Sequence, residues 1–115
     1  MTEVELQARV ARNQSLFRDY NELLEPSNEA HQRVRPPYGD WFCECPRESC
    51  SERVKLTLAE YESVRADPTH FFVAPDEGHV VPDVERIIVR NERYWVVEKL
   101  GVAAAVSEGL DPRSP

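Results

Sequence analysis

Three cysteines lie within eight residues of one another, at Cys43, Cys45 and Cys50. An odd number of cysteines does not complete a disulfide framework, and unrelated core thiols would not be this dense. Thiolate sulfur selects zinc or an iron–sulfur cluster over magnesium or calcium, and a structural zinc ion takes four tetrahedral ligands. The C-x-C-x4-C spacing therefore predicts a three-sulfur metal site that needs a fourth ligand from elsewhere in the chain.

His79 is the predicted fourth ligand. It follows a glycine that permits a tight turn, and its place at the end of a loop allows the imidazole to point back at the cysteines. A carboxylate near the cysteines, such as Glu44 or Glu48, is a less frequent ligand of structural zinc. His70 lies in a predicted strand and His31 lies in a predicted connector, so neither is expected to bind the metal.

A site of three sulfurs and one nitrogen is coordinatively full, so it predicts a zinc ion that stabilises the fold. Reduced thiols that only pack, and an iron–sulfur or haem role, are the alternatives. A hydrolytic enzyme requires that His79 is not a ligand, which leaves a metal-bound water with Glu77 or Glu44 as its base. The zinc-deaminase, serine-hydrolase, Walker and dinucleotide-binding motifs are absent from the sequence, so catalysis is not favoured.

The N-terminal segment predicts a long amphipathic helix over residues 4–24. Thr2 and Glu5 have the spacing of a capping box, and Pro26 is expected to end the helix. Apolar side chains recur at steps of three and four along one stripe that also contains Asn13, and these are Leu6, Val10, Phe17, Tyr20 and Leu24. Because the stripe also has heptad spacing, it either packs on the chain's own domain or pairs with a partner helix or a second copy.

The remaining sequence predicts an α+β fold with a small, mostly antiparallel sheet, one short helix and a zinc knuckle. Alternating apolar residues and turn-forming dipeptides place its strands at 41–43, 54–58, 70–74, 84–90 and 94–99. Thr57 and Glu60 repeat the capping-box spacing and start the short helix, which ends before Pro68. The predicted organisation is an N-terminal helix (1–25), a Pro-rich connector (26–40), a zinc-binding domain (41–100) and a C-terminal tail (101–115). In the tail, residues 101–106 add a helical turn and residues from 110 onwards are expected to be loose.

Charge and hydropathy disfavour several classes of partner. The chain has 115 residues, of which 21 are acidic and 14 are basic, and the net charge of −7 repels phosphate backbones and anionic lipid surfaces. The apolar stretch 100–106 is far shorter than the ~20 residues that a bilayer span needs, and the acidic start lacks the blocks of a secretory signal. We therefore expect a cytoplasmic protein with reduced cysteines and neither a nucleic-acid nor a membrane partner.

The segment from Phe42 to Arg65 resembles a family of short uncharacterised bacterial proteins. That family has an F-x-C-E-C pattern, a third cysteine, then V-x-L-T-x-x-E-Y-E-x-V-R and a proline-rich turn that ends in G-H. In this chain the resemblance continues through Gly78 and the strand Tyr94–Lys99, and it covers most of the sequence. It implies a metal set of Cys43, Cys45, Cys50 and His79, and it implies no particular activity.

These observations predict a small, cytoplasmic, zinc finger-like protein that acts as a regulatory protein-interaction module. A protein partner or a second copy is expected to bind the apolar stripe of the N-terminal helix. The alternative is a thiol-based redox or metal sensor, in which oxidation of Cys43 and Cys45 releases zinc. A zinc-dependent hydrolase is the third hypothesis, and it depends on an open metal position.

Overall fold

The computed structural model describes residues 2–47 and 49–113, which form an α+β fold with a long N-terminal helix, as the sequence predicts. The helices are α1 (Glu3–Asn28), α2 (Leu58–Arg65) and α3 (Gly101–Gly109), with 3₁₀ turns at Glu29–Arg33 and Glu77–His79. The strands are β1 (Gly39–Phe42), β2 (Arg53–Leu56), β3 (His70–Val73), β4 (Glu85–Arg90) and β5 (Trp95–Lys99). Both predicted capping boxes are present, at the starts of α1 and α2. Within the described ranges, no helix combines the length and the apolar character that crossing a membrane requires.

The strands form two antiparallel sheets among the described residues, so the prediction of a single sheet is wrong. β1 pairs with β2, and the second sheet has the order β3-β5-β4. The predicted hairpin of β4 and β5 is confirmed, with a register shift between Ile87 and Val89. The sheets stay separate because side chains of α1, rather than another strand, bond the backbone of β1 on the edge that β2 leaves open.

α1 runs past its predicted end at Leu24, so that boundary is wrong, and much of the predicted connector is helical. Pro26 is exposed and lies inside the helix, where proline is normally unfavourable. The last turn has a tertiary anchor, because the side chain of Asn28 accepts from Asp40 N (2.9 Å) and donates to Asp40 O (3.1 Å). This close approach requires a glycine next to Asp40, since an added Cβ at Gly39 would lie 2.9 Å from Asn28 Cγ.

The buried face of α1 is largely polar and differs from the predicted apolar stripe. Its buried residues are Val10, Ala11, Gln14, Ser15, Phe17, Arg18, Asn21 and Asn28. Of the predicted stripe, Val10 and Phe17 are buried, whereas Leu6 and Tyr20 are 47% and 44% exposed. Arg18 is fully buried and donates to Pro68 O (2.7 Å) and Ser107 O (2.8 Å). Hydrogen bonding therefore orients this helix as much as apolar burial does.

The apolar core lies between the two sheets and α2. Trp41 stacks on Tyr61 with ring centroids 4.0 Å apart, and its Nε1 donates to Leu56 O (3.1 Å). Phe71 and Phe72 of β3 are fully buried in the same cluster. A second, smaller cluster joins α1 to α3 through Val10, Ala11, Val84 and Ala103. This cluster packs the N-terminal half of the long helix against α3.

The C-terminal residues are anchored, so the prediction of a loose segment is wrong for residues 110–113. α3 is also longer than the predicted helical turn. Arg65 donates to Asp111 (2.6 Å) and to Glu22 of α1 (3.1 Å), and Arg113 donates to Glu62 (2.7 Å). Charge pairs thus join the end of the chain to α1 and α2. The last two residues of the predicted tail, 114 and 115, lie outside the described residues.

Candidate metal centre

The four residues predicted as metal ligands lie together. Cys43 and Cys45 follow β1, Cys50 lies in the loop before β2, and His79 ends the 3₁₀ turn after β3. Their three sulfurs and one imidazole nitrogen all lie within 4.8 Å of one another. The cysteines are free thiols in the structure. Cys43, Cys45, Cys50 and His79 therefore form a candidate metal site built from three separate segments.

The distances from His79 to two of the sulfurs match tetrahedral coordination. His79 Nδ1 lies 3.6 Å from Cys43 Sγ and 3.8 Å from Cys50 Sγ. Bonds of about 2.3 Å from zinc to sulfur and about 2.05 Å to nitrogen separate two tetrahedral ligand atoms by about 3.6 Å. The arrangement therefore has the right size for one ion at its centre, with Nδ1 as the histidine donor.

Backbone contacts position the first two cysteines. Cys43 N donates to Glu52 O (3.0 Å), which extends the β1–β2 pairing by one residue beyond the strands. Glu44 N donates to Phe72 O (3.0 Å), which joins the same segment to β3. Cys43 Sγ also accepts from Ala74 N (3.3 Å), a contact that stabilises a thiolate. The Cys43–Cys45 segment is thus bonded to both sheets.

The other two ligands lie in local turns. Cys50 N donates to Arg47 O (3.0 Å), and His79 N donates to Asp76 O (3.0 Å). The carboxylate of Asp76 accepts from Gly78 N (2.7 Å), which fixes the turn that delivers the imidazole. The hydrogen bonds that close each turn join residues no more than three positions apart in the chain. These bonds do not tie Cys50 or His79 to a distant part of the fold.

The three sulfurs interact strongly with one another. The hydrogen bond between Cys43 and Cys45 raises the pKa of the Cys43 thiol and lowers the pKa of Cys45 to about 4, and burial adds to the rise at Cys43. Burial is also the main cause of the raised pKa of Cys50. Because like charges this close oppose one another, all three sulfurs ionise together only around a cation.

Three amide side chains of α1, which we call the amide ladder, hold the backbone that carries the first two ligands. Gln14, Asn21 and Asn28 recur at steps of seven along the helix. Asn21 donates to Phe42 O (2.9 Å) and accepts from Phe42 N (2.8 Å), while Gln14 donates to Glu44 O (3.1 Å). Asn28 bonds Asp40 in the same way. At residues 40, 42 and 44 the amide ladder thus makes backbone hydrogen bonds of the kind that a neighbouring strand would make.

Sequence reasoning missed this ladder, although the heptad spacing of the three amides is visible in the sequence. Asn13, which was predicted to lie within a helix-pairing stripe, donates instead to Pro46 O (3.2 Å) in the metal knuckle. Amides at inner positions of a helix are a signal for such contacts, because buried side-chain amides require partners.

Glu44 lies between two ligands but is not part of the cluster. It is fully buried, and its carboxylate accepts from Asn21 Nδ2 (2.9 Å) and from Phe72 N (3.3 Å). Burial raises the pKa of this carboxyl to about 7. Glu44 therefore ties α1 to β3 behind the metal site. Glu48, the other carboxylate considered as a ligand, lies outside the described residues.

The two remaining histidines lie apart from the sulfur cluster. His70 lies 3.0 Å from Glu98 Oε2 and 3.4 Å from Asp67 Oδ2, in a second group that could hold an ion. Glu98 also accepts two hydrogen bonds from the guanidinium of Arg86, so this group is already an ion-pair network. His31 lies in the 3₁₀ turn after α1 and belongs to neither group in the described part of the chain.

The four ligands differ in their access to solvent. Cys43 and Cys45 are 1% and 0% exposed, whereas Cys50 is partly exposed. A surface cavity of about 240 Å³ reaches the site, and it is lined by Arg47, Ser49, Cys50, Ser51, Glu52 and His79. A solute can therefore approach the site from the side of Cys50.

Comparison of the chain with protein-family models, with curated proteins and with solved structures found no match. The resemblance to a bacterial family therefore stays a prediction. The chemistry of the site rests on its donor set, which is three soft sulfurs and one imidazole nitrogen within 4.8 Å of one another. Such a set could hold one metal ion.

Proposed function

We propose that the protein is a zinc-binding module in which a structural Zn²⁺ is held by Cys43, Cys45, Cys50 and His79. The observation that carries this proposal is the convergence of four ligand atoms within 4.8 Å. Sulfur donors favour zinc over magnesium and calcium, and a mononuclear S₃N set is typical of structural zinc. The ion joins two surface turns to the core, as structural zinc ions do in small domains.

The full coordination supports a role in binding rather than in catalysis. A hydrolytic zinc ion keeps a position for water, whereas four protein ligands occupy a tetrahedral ion completely. We therefore propose that zinc keeps the fold in one shape and that the protein acts by presenting a surface to a protein partner, as a regulatory interaction module.

Metal analysis of three proteins tests the zinc site. The parent, His79→Ala and His70→Ala are purified without added metal, and the zinc content per chain is measured by mass spectrometry. We expect one zinc in the parent, a large loss in His79→Ala and no change in His70→Ala, because His70 is bound to Glu98 and not to the sulfurs. A parent without zinc, or full occupancy in His79→Ala, contradicts the structural site.

Partial exposure of Cys50 supports a second candidate function, a thiol-based redox sensor. In this mechanism hydrogen peroxide oxidises the Cys50 thiolate to a sulfenic acid and is itself reduced, with release of hydroxide. The thiolate of Cys45 then attacks the sulfenic sulfur, which forms a disulfide, releases a second hydroxide and frees the metal. The test is zinc release under mild peroxide together with peptide mapping of a Cys45–Cys50 disulfide. Release without a disulfide, or thiols that do not react, contradicts the sensor.

A further inference from the structure

The face of α1 that points away from the core carries an exposed apolar strip. Leu16, Tyr20 and Leu23 follow one another at steps of four and three, and they are 47%, 44% and 77% exposed. At 3.6 residues per turn they share one side of the helix, opposite the amide ladder. Tyr20 also continues the strip towards Phe42 of β1, with ring centroids 6.0 Å apart.

The charges beside this strip are arranged with opposite signs at equivalent helical positions. Arg12 and Asp19 are seven residues apart, so they lie on the same flank of α1. Both are exposed, and in the described part of the chain neither has an ion-pair partner within 4 Å. In an antiparallel pair of identical helices, residues on the same flank face each other across the two-fold axis. Each Arg12 then meets an Asp19 of the other copy.

We propose that the partner of this strip is a second copy of the chain, with the two α1 helices packed antiparallel around Leu16. This register places Leu16 against its own counterpart and lays Leu23 over the aliphatic stem of Arg9 of the second copy. It forms two symmetric pairs between Arg12 and Asp19. A parallel arrangement would instead set this flank against the opposite flank of the second copy, so Arg12 and Asp19 would not meet. The inference rests on the proposed interaction role and names its partner and surface.

Two copies are a better fit to this strip than an unrelated acidic or basic helix. The flank carries charges of both signs, at Glu5, Arg12 and Asp19, so a partner of a single sign would repel at least one of them. The same segment supplies its own complement when it is reversed, because Arg12 and Asp19 exchange places about a point between Ser15 and Leu16. Self-complementarity of this kind is the requirement for a two-fold interface.

Sedimentation equilibrium of the zinc-loaded chain over a concentration series tests the proposal. We expect a monomer–dimer equilibrium in the parent. Leu23→Ser is expected to raise the dissociation constant by more than about tenfold, because it removes apolar area from the interface. Arg12→Asp is expected to raise it by about tenfold, and the exchange R12D/D19R is expected to restore it. Leu110→Ser, at a leucine that is 45% exposed in another part of the surface, is the matched control and leaves it unchanged.

Three results overturn the proposal: a parent that is monomeric throughout the series, a dimer that survives Leu23→Ser, or a charge exchange that fails to restore pairing in a folded protein. Zinc content and circular dichroism are recorded on every sample. If a variant no longer pairs but keeps its full zinc content and its helix content, the loss of pairing is due to the changed interface and not to unfolding. A parent without zinc that still dimerises contradicts the metal proposal and leaves the helix pairing intact.

Discussion

Cys43 and Cys45 lie on a segment that the rest of the fold already holds, whereas Cys50 and His79 lie in turns that close on themselves. We call these the anchored half and the loop half of the metal centre. The anchored half bonds to β3 through Glu44 N and to α1 through the amide ladder. The loop half is held by hydrogen bonds from Cys50 N to Arg47 O and from His79 N to Asp76 O.

This difference indicates how the centre assembles. The anchored half has the same contacts with or without an ion, because its partners are amides and carbonyls of the fold. In the described residues of the loop half, the amides of Cys50 and His79 bond only within their own turns, so the free energy of metal binding has to order it. We infer that two ligands are positioned before the metal arrives and that two close around it. The four predictions below test this difference between the halves.

Removing the metal should have the largest effect. We expect the free energy of unfolding to fall by about 5–10 kcal/mol when zinc is removed by a chelator, because structural zinc binding is coupled to folding. Hydrogen exchange should become fast in residues 49–52 and 76–80, whereas the amides of residues 42–44 should stay protected. Protein reloaded with zinc is the control. Loss of protection at residues 42–44 as large as in the two loops would show that the halves do not differ.

Asn21→Ala should have the next largest effect and should act through the anchored half. The substitution leaves Phe42 N, Phe42 O and one oxygen of Glu44 without their partner. We expect the zinc-loaded protein to lose about 3 kcal/mol in denaturant unfolding, because buried polar groups left unpaired are costly. Asn13→Ala is the matched control, since Asn13 makes one part-buried bond to Pro46 O, and it should cost about 1 kcal/mol or less. Equal losses in the two variants contradict the role of the ladder.

The candidate ligands of both halves could be predicted from the sequence, but the support of the anchored half could not. Ligand type and spacing identify Cys43, Cys45 and Cys50, and a glycine before His79 identifies a turn, because these are local signals. The ladder depends on which side of α1 faces β1. Apolar periodicity predicted this side only in part, since Val10 and Phe17 are buried but Leu6 and Tyr20 are exposed, and Gln14 and Asn21 are buried through hydrogen bonds instead.

The errors in the fold have the same origin. Pro26 predicts a helix end from local chemistry, yet the contact of Asn28 with Asp40 holds the helix for another turn. The strands were placed correctly to within about two residues, as their alternation is local. Their division into two sheets was not predicted, because it depends on a helix taking the place of a strand beside β1. Tertiary hydrogen bonds, which local sequence patterns do not reveal, therefore determine where α1 ends and how the strands divide into two sheets.

Cysteine substitutions in the metal-free protein compare the two halves directly and should have a smaller effect. Cys43 is buried in the core and its sulfur accepts from Ala74 N, whereas Cys50 is partly exposed. We expect Cys43→Ser to lower the free energy of unfolding of the metal-free chain by about 1–3 kcal/mol, because it buries a hydroxyl. Cys50→Ser should change it by less than about 0.5 kcal/mol. Both variants should bind zinc poorly. Equal free energies of unfolding for the two metal-free variants would contradict the difference between the anchored half and the loop half.

The smallest effect should come from Glu60→Gln, at a contact that neither half uses. Hydrogen bonds from Arg93 lower the pKa of Glu60 to about 2, and Glu60 Oε2 lies 2.6 Å from Arg93 Nη2. A carboxyl whose pKa is lowered in the folded state adds stability above its unfolded pKa and loses it as the pH falls towards 2. Because the pair is partly exposed, we expect Glu60→Gln to cost about 1 kcal/mol at pH 7.

At pH 3 part of this cost should have disappeared, because the unfolded parent is protonated at this carboxyl there, and the rest should disappear as the pH falls below the folded pKa of about 2. Glutamine keeps the capping contact with Thr57, so the substitution isolates the ion pair from the start of α2. Unfolding is measured on metal-free protein, since acid also protonates the thiolates that bind zinc. The same difference between variant and parent at pH 7 is expected with zinc bound, because the Glu60–Arg93 contact includes no ligand of the centre. A cost that changes with zinc would show that the metal stabilises α2 as well as the loop half.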